Sequence, residues 1–351
     1  MRALSLRELE RDARERLDPA VYDFFAGGAD DEVTLRANEA AFERIGLIPR
    51  VLRGAGRPRL EVELLGSRAS MPVLIAPTAF HRLAHPDGER ATARAAAAAG
   101  TVMIASMAAT VAIEEIAAAA PGAWFQLYIQ PDLGFTEAVV RRAEAAGCAA
   151  LVVSVDSPVF GRRERDLRNG FLELPAGMCC ENMRDGPGPP RRFVFSPELS
   201  WEHLEWLRGA TALPIALKGV MHPEDARLAI AHGADLIVVS NHGGRQLDTV
   251  PAAIDLLPPI ADAVAGEVPL LVDGGVRRGT DVVKACALGA RAVAIGRPVL
   301  WGLAVAGEEG VLHVLELLRA ELERALILCG CGSPDEADRG LLSPAREELP
   351  W

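Results

Sequence analysis

Aromatic side chains make up only 5% of this 351-residue chain, although half of its residues are apolar. The core must therefore come from Ala, Val, Leu and Ile, and a chain of this length buries such a core without disulfides or metals. Its six cysteines, Cys148, Cys179, Cys180, Cys286, Cys329 and Cys331, lack His or Cys companions at zinc-finger spacing, so no metal site is expected. Basic residues are in the minority, 37 against 48 acidic ones, for a formal charge of −11. That balance opposes unspecific attraction to nucleic acid or to an anionic membrane, and any phosphate must be recognised locally. No basic-then-apolar leader opens the chain; Ser5 and Glu8 instead suggest a capping box on an amphipathic, charged helix. No apolar run reaches the ~20 residues of a membrane span, and the final Glu348-Leu349-Pro350-Trp351 is no recognised address, so a cytoplasmic location is expected. The dinucleotide fingerprint G-x-G-x-x-G is also missing, which argues against a doubly wound sheet.

What is present is a regular alternation. From about residue 72, short β-branched runs alternate with Ala-rich helical stretches. Eight strands are predicted: Pro72 to Ala76, Thr101 to Ala105, Trp124 to Ile129, Ala150 to Val155, Pro214 to Lys218, Asp235 to Ser240, Pro269 to Asp273 and Arg291 to Ile295. Helices are predicted at Gly88 to Ala99, Leu133 to Ala146, Pro223 to His232 and Gly279 to Leu288, with Gly100, Gly147, Gly233 and Gly289 as stops. Eight βα units in one domain point to an α/β fold, a parallel (β/α)8 TIM barrel, whose chemistry sits in the loops after the strands. Residues 1–70 read as an N-terminal helical extension ending in an extended Leu60 to Leu64 segment that caps the barrel bottom. Residues 171–200 read as a flexible excursion over the active face.

The predicted strand ends collect polar groups at one rim. In order they give Pro77, Thr78 and Ala79; Ser106; Gln126 and Tyr128; Ser154, Asp156 and Arg163; and Lys218. The last three contribute Ser240, His242 and Arg245; Asp273, Gly274, Gly275 and Arg277; and Gly296 and Arg297. Taken singly these are weak signals. Lys218 alone reads as a carboxylate partner and Tyr128 as core, a tight turn without a ligand is the lesser alternative for Gly274-Gly275, and the six histidines other than His242 read as surface or helix positions. Together they place a base, a cation and two arginine forks on one barrel face, as a base acting on a carboxylate substrate requires. The Gly-rich turns after strands seven and eight, with Arg277 or Arg297, suit a phosphate-bearing cofactor. Ser106, Gln126 and Ser154 suit hydrogen bonding to a planar heteroaromatic ring, with Lys218 beside it.

These segments resemble the FMN-dependent 2-hydroxy acid oxidase and dehydrogenase family, which includes glycolate oxidase, lactate oxidase and mandelate dehydrogenase. The likeness runs from Val21-Tyr22-Asp23 through Ala76-Pro77-Thr78-Ala79, Phe125-Gln126-Leu127-Tyr128, Gly161-Arg162-Arg163-Glu164 and Leu217-Lys218-Gly219. Its most specific parts are Ser240-Asn241-His242-Gly243-Gly244-Arg245-Gln246-Leu247-Asp248 and the stretch from Asp273-Gly274-Gly275-Val276-Arg277 to Gly296-Arg297-Pro298. The resemblance implies an FMN enzyme that oxidises a 2-hydroxy carboxylate to the 2-oxo acid and passes the electrons to oxygen or another acceptor. It implies His242 as base, Asp156 as its orienting carboxylate, Arg163 and Arg245 as the carboxylate clamp, Tyr128 as a substrate hydrogen-bonding group, and Lys218 as the cation that stabilises the anionic reduced flavin. Ala79, Ser106, Gln126, Ser154, Ser240, Asp273, Gly275, Arg277, Gly296 and Arg297 match flavin-contact positions, and a homo-tetramer or octamer is implied.

Two departures bear on the substrate. Phe24 stands where many members carry a tyrosine that donates to the substrate carboxylate, a bond phenylalanine cannot make. Ala108 stands where glycolate-oxidising members place a tryptophan, which leaves space beside the reacting carbon. A wider, more apolar pocket favours a bulky or aromatic, mandelate-like acid, as in the hydroxymandelate oxidase branch. The competing readings are a barrel like type 2 isopentenyl diphosphate isomerase, disfavoured by the two clamp arginines, and a flavin-binding protein without turnover.

Overall fold

In a computed structural model, which describes residues 3–343, eight parallel strands form the barrel. They are β1 (Val73–Ile75), β2 (Ile104–Ser106), β3 (Trp124–Leu127), β4 (Leu151–Ser154), β5 (Ile215–Val220), β6 (Leu236–Val239), β7 (Leu270–Asp273) and β8 (Ala292–Ile295). Neighbours pair in chain order, β8 pairs with β1, and a bridge between Ile75 and Met103 closes β1 onto β2. All eight predicted strands are present, each trimmed or shifted by a few residues. The glycine stops hold as well: Gly100 closes the helix Glu89–Ala99 in the left-handed region at φ +67°. The segment Glu348 to Trp351 lies outside the described residues.

Closure makes the period of two decisive. Leu74, Ile104, Trp124, Val152, Ala216, Val238, Leu271 and Ala294 turn into the barrel, while Ile75, Phe125, Val153, Leu217, Val239 and Val272 turn out to the helices. The extended segment near residue 60 becomes an antiparallel hairpin, Val62–Leu64 with Ser67–Ala69, in the register Val62 to Ala69 and Leu64 to Ser67. Its buried Val62, Leu64 and Ala69 join the interior cluster, and the Trp124 indole donates to Ser67 Oγ at 3.0 Å, so the hairpin packs against the barrel interior.

The capping box at Ser5 forms by half. Ser5 Oγ accepts from the Glu8 N–H at 3.2 Å, but the Glu8 carboxylate reaches the N–H of Leu4 rather than that of Ser5. Among the described residues one helix, Arg297–Cys329, has the length and apolarity of a membrane span, a feature the run of residues did not suggest. Most of its apolar window is buried, it packs against the helices Leu6–Arg16, Glu89–Ala99 and Gly279–Ala287, and its backbone leaves helical geometry at Ala306 and Gly307.

The extension does more than cap. Helix Val33–Arg44 lies against the loops after β6 and β7 and is stitched to them through buried polar groups. Asn38 and Asn241 exchange reciprocal amide bonds of 2.9 and 2.8 Å, and Asp248 accepts from the N–H of Thr34 at 2.8 Å. The Ala29 N–H donates to Gly244 O at 2.8 Å. The loop after β6 is thus held from outside the barrel. Asn38→Ala would remove both amide bonds to the buried Asn241, leaving it only the Pro251 carbonyl and the Gly244 N–H, each at 3.2 Å, and a loss of about 2 kcal/mol in unfolding free energy is expected. Urea unfolding checks it, and an unchanged midpoint and slope would contradict the role of the pair.

Candidate active site

His242 occupies the left-handed region at φ +57°, where a residue with a Cβ stays only when its surroundings hold it. Its N–H donates to Ser240 Oγ at 3.1 Å, and the Gly244 N–H donates to Asn241 Oδ1 at 3.2 Å. The ring Nδ1 lies 2.9 and 3.1 Å from the two oxygens of Asp156. An ionised carboxylate only accepts, which puts the proton on Nδ1 and leaves Nε2 as the basic atom, 3.5 Å from the Tyr128 hydroxyl. Burial pushes the Asp156 carboxyl up, but the charge and hydrogen bond of His242, helped by Lys218, outweigh it and hold the group below the usual range. Burial, reinforced by Asp156, drives the Tyr128 phenol well above its usual pKa, so it stays a neutral donor.

Behind this pair lies one polar layer, formed by the last inward position of several strands. Ser106 Oγ donates to Gln126 Oε1 at 3.0 Å, and Gln126 Nε2 donates to Ser154 Oγ at 3.2 Å. Lys218 Nζ donates to Ser240 Oγ at 2.9 Å and lies 3.1 Å from Asp273 Oδ2. Burial pulls the Lys218 ammonium down, yet Asp273 and Asp156 more than offset it, so its pKa is raised and the charge is retained. Ser106, Lys218 and Asp273 reach the cavity wall, whereas Gln126, Ser154, Asp156 and Ser240 stand behind it as partners.

The opposite side is cationic. The guanidinium of Arg245 donates to the carbonyls of Phe24 and Gly27, both at 2.8 Å, and Arg163 Nε lies 3.3 Å from Asp166 Oδ2. Burial, and then repulsion from Arg163 and Arg297, pulls Arg245 well below its usual pKa; burial also lowers Arg163. Two buried forks that repel each other are a prepared site for a carboxylate, which relieves both. The Phe24 ring sits 5.5 Å from Arg163 Cζ and 5.2 Å from Arg245 Cζ, offering its face to each where a hydroxyl donor would otherwise stand.

At the other end Gly274 and Gly275 adopt φ +90° and +87°, and a Cβ on Gly275 would lie 2.0 Å from Asn38 O. Only glycine admits the helix Val33–Arg44 this close. Arg277 pairs with Glu39 at 2.9 Å. Arg297, expected as a cofactor contact, lines the cavity, but its guanidinium already donates to the carbonyls of Phe25, Gly243 and Gly27 at 2.9, 3.0 and 2.8 Å. Burial and Arg277 lower its pKa to about 10, and its first task is to bind the extension to the loop after β6. A flavin mononucleotide fits this set. Two of the three buried side-chain polar atoms without a partner among the described residues, Asp273 Oδ1 and Arg277 Nε, belong to it. Pro77, Thr78, Ala79 and Gly296 complete the cavity wall beside them.

Sequence reasoning missed the outer wall. Phe193 and Phe195, from the excursion, meet Tyr128 edge-on at 5.8 and 5.3 Å, and Phe160 meets Phe195 at 5.2 Å while stacking under Arg163 at 4.4 Å. The signal was there: four of the ten phenylalanines of an aromatic-poor chain, Phe160, Phe171, Phe193 and Phe195, fall within 36 residues. The excursion is also pinned, since Asn182 accepts from the Ile113 N–H at 2.8 Å and donates to Ser106 O at 3.2 Å. Ala108, buried at the cavity wall, keeps the space beside these rings open. His81 holds one of the expected helix positions, in the 3-10 turn His81–Leu83 after β1, but it is no surface residue, being only 1% exposed.

Residues 13–344 match the model of the FMN-dependent dehydrogenase family. The chain is 47% identical to an L-lactate oxidase of Nostoc sp., with 97% of this chain and 98% of that protein covered. It is 45% identical to human 2-hydroxyacid oxidase 1, with 97% and 96% covered. Among solved structures, mandelate oxidase with benzoyl-formic acid superposes with a TM-score of 0.91 at 47% identity, covering 97% of this chain and 98% of that one. Relatives of this kind, over this length, set aside both the isomerase-like barrel and the protein without turnover. The chain belongs to the FMN-dependent dehydrogenase family and is an FMN-dependent enzyme of 2-hydroxy acid oxidation.

Proposed function

We propose that the substrate is a 2-hydroxy carboxylate with a bulky, aromatic side chain, of the mandelate class. The observation that carries this reading is the pairing of Ala108 with the aromatic wall of Phe24, Tyr128, Phe160, Phe193 and Phe195 around one cavity. Rings favour edge and offset contacts with other rings, worth about 0.5–1.5 kcal/mol beyond area burial. The mandelate oxidase structures among the neighbours support the same class, although the curated relatives are named for lactate, glycolate and 2-hydroxy acids.

The substrate carboxylate lies between Arg163 and Arg245, whose desolvated charges it neutralises. Tyr128 donates to the substrate, and His242 Nε2 takes up the proton that oxidation of the alcohol releases. Asp156 holds the ring tautomer and stabilises the imidazolium. Ser106 and Lys218 would face the ring of FMN, with Gln126, Ser154 and Ser240 behind them as their hydrogen-bond partners, and Gly274, Gly275, Arg277, Gly296 and Arg297 would surround its phosphate. When bound, FMN supplies the two-electron acceptor, a role no side chain here can fill. Lys218 would place its retained positive charge beside that ring, and oxygen or another acceptor would take the electrons onward.

His242→Ala removes the base, and a fall in kcat of at least about 100-fold is expected while the protein stays yellow. Anaerobic mixing with mandelate, followed by flavin absorbance, measures it; bleaching at the parent rate would sink the assignment. Asp156→Asn frees the ring to take the other tautomer, and kcat should fall by roughly 100-fold or more with little change in KM. Ala108→Trp should lower kcat/KM for mandelate by more than about tenfold and spare glycolate. Glycolate or lactate strongly preferred over mandelate by the parent enzyme would overturn the substrate class.

A further inference from the structure

The turn after β1 contains a buried histidine that the reaction does not use. His81 Nε2 lies 2.6 Å from Thr78 Oγ1, and its Nδ1 lies 2.8 Å from Thr92 Oγ1 on the helix Glu89–Ala99. Its backbone N–H donates to Glu89 Oε1 at 3.0 Å, and the same carboxylate accepts from the N–H and hydroxyl of Thr110 at 2.8 and 2.7 Å. His81, Glu89, Thr92 and Thr110 are all buried. Phe80, one residue before, is held at φ +63°, so this stretch of loop stays in place only while its surroundings fix it.

Thr78 is the end of this network that lines the cofactor cavity. Its hydroxyl is turned back to His81, and its methyl packs towards Gly296, at 3.1 Å from where a Cβ would stand there. A threonine has three staggered rotamers, and only one satisfies both contacts. A neutral imidazole has one donor and one acceptor nitrogen, so the two threonine hydroxyls take opposite roles and neither is left unpaired.

We propose that His81 is a positioning residue for the cofactor: it locks the Thr78 rotamer and with it the Pro77 to Ala79 segment that forms one wall of the flavin site. The inference rests on the flavin site itself and not on the choice of substrate. Its test is therefore FMN binding, followed by the fluorescence of released flavin, together with the visible spectrum of the bound form. His81→Leu leaves the Thr78 hydroxyl unpaired and free to turn, and the FMN dissociation constant should rise roughly tenfold, with an altered flavin spectrum. His81→Gln keeps an amide at the place of Nε2 and should restore binding to within about twofold of the parent. Thr92→Val touches the ring from the far side, and it should lower Tm while leaving FMN affinity within about twofold. Parent-like FMN affinity and spectrum in His81→Leu, with only Tm reduced, would make His81 a scaffold residue and overturn the proposal. A loss of affinity in Thr92→Val equal to that in His81→Leu would overturn it as well, as general loosening of the loop. If His81→Leu does not fold, Thr78→Val decides the matter: the same rise supports the proposal, and unchanged affinity refutes it.

Discussion

Closure of eight parallel strands into a barrel is the constraint on which everything else rests. Each strand must alternate its side chains between a narrow interior and the surrounding helices, and the interior has room for few layers. Below, those layers are apolar and sealed by the hairpin; only the last inward position of six of the strands, β2 to β7, is polar. A lysine, an aspartate, a glutamine and three serines can be buried there because each finds its partner at another strand end of the same layer. Ser106, Lys218 and Asp273 of this layer line the cavity.

Charge is distributed so that the cavity lacks an anion. Asp156 is committed to His242, Asp273 to Lys218 and Asp166 to Arg163. Arg245 through its Nη1 alone, and Arg297 through Nε, Nη1 and Nη2, donate to backbone carbonyls, which orient a guanidinium without neutralising it. Burial first, and repulsion between neighbouring guanidinium groups second, depress the Arg245 and Arg297 pKa values. The overall charge of −11 conceals this, because the surface and not the site sets that sum.

The N-terminal extension gives the site its rigidity. The carbonyls of Phe24, Phe25 and Gly27 receive the side chains of Arg245 and Arg297, and Asn38 grips Asn241 next to the strained His242. A loop that would otherwise be the softest part of the barrel is tied down from two sides.

The sequence by itself determined the eight strands, their order, the class of chemistry and most of the rim, since alternation, glycine stops and strand-end polarity are local signals that survive without contacts. His242, Asp156, Lys218, Arg163 and Arg245 were legible because their types are rare at the ends of apolar runs. Arg297 was legible as a site residue but not as a clasp, and His81 not at all, because burial depends on what a distant segment packs against. The outer wall of Phe160, Phe193 and Phe195 shows the same limit: a phenylalanine in an irregular loop has no period to betray its direction. Only the tertiary structure decided which loop residues reach the cavity, because that follows from how the 160–195 segment is pinned across the barrel mouth by Asn182 and packed on Tyr128, contacts between residues far apart in the chain.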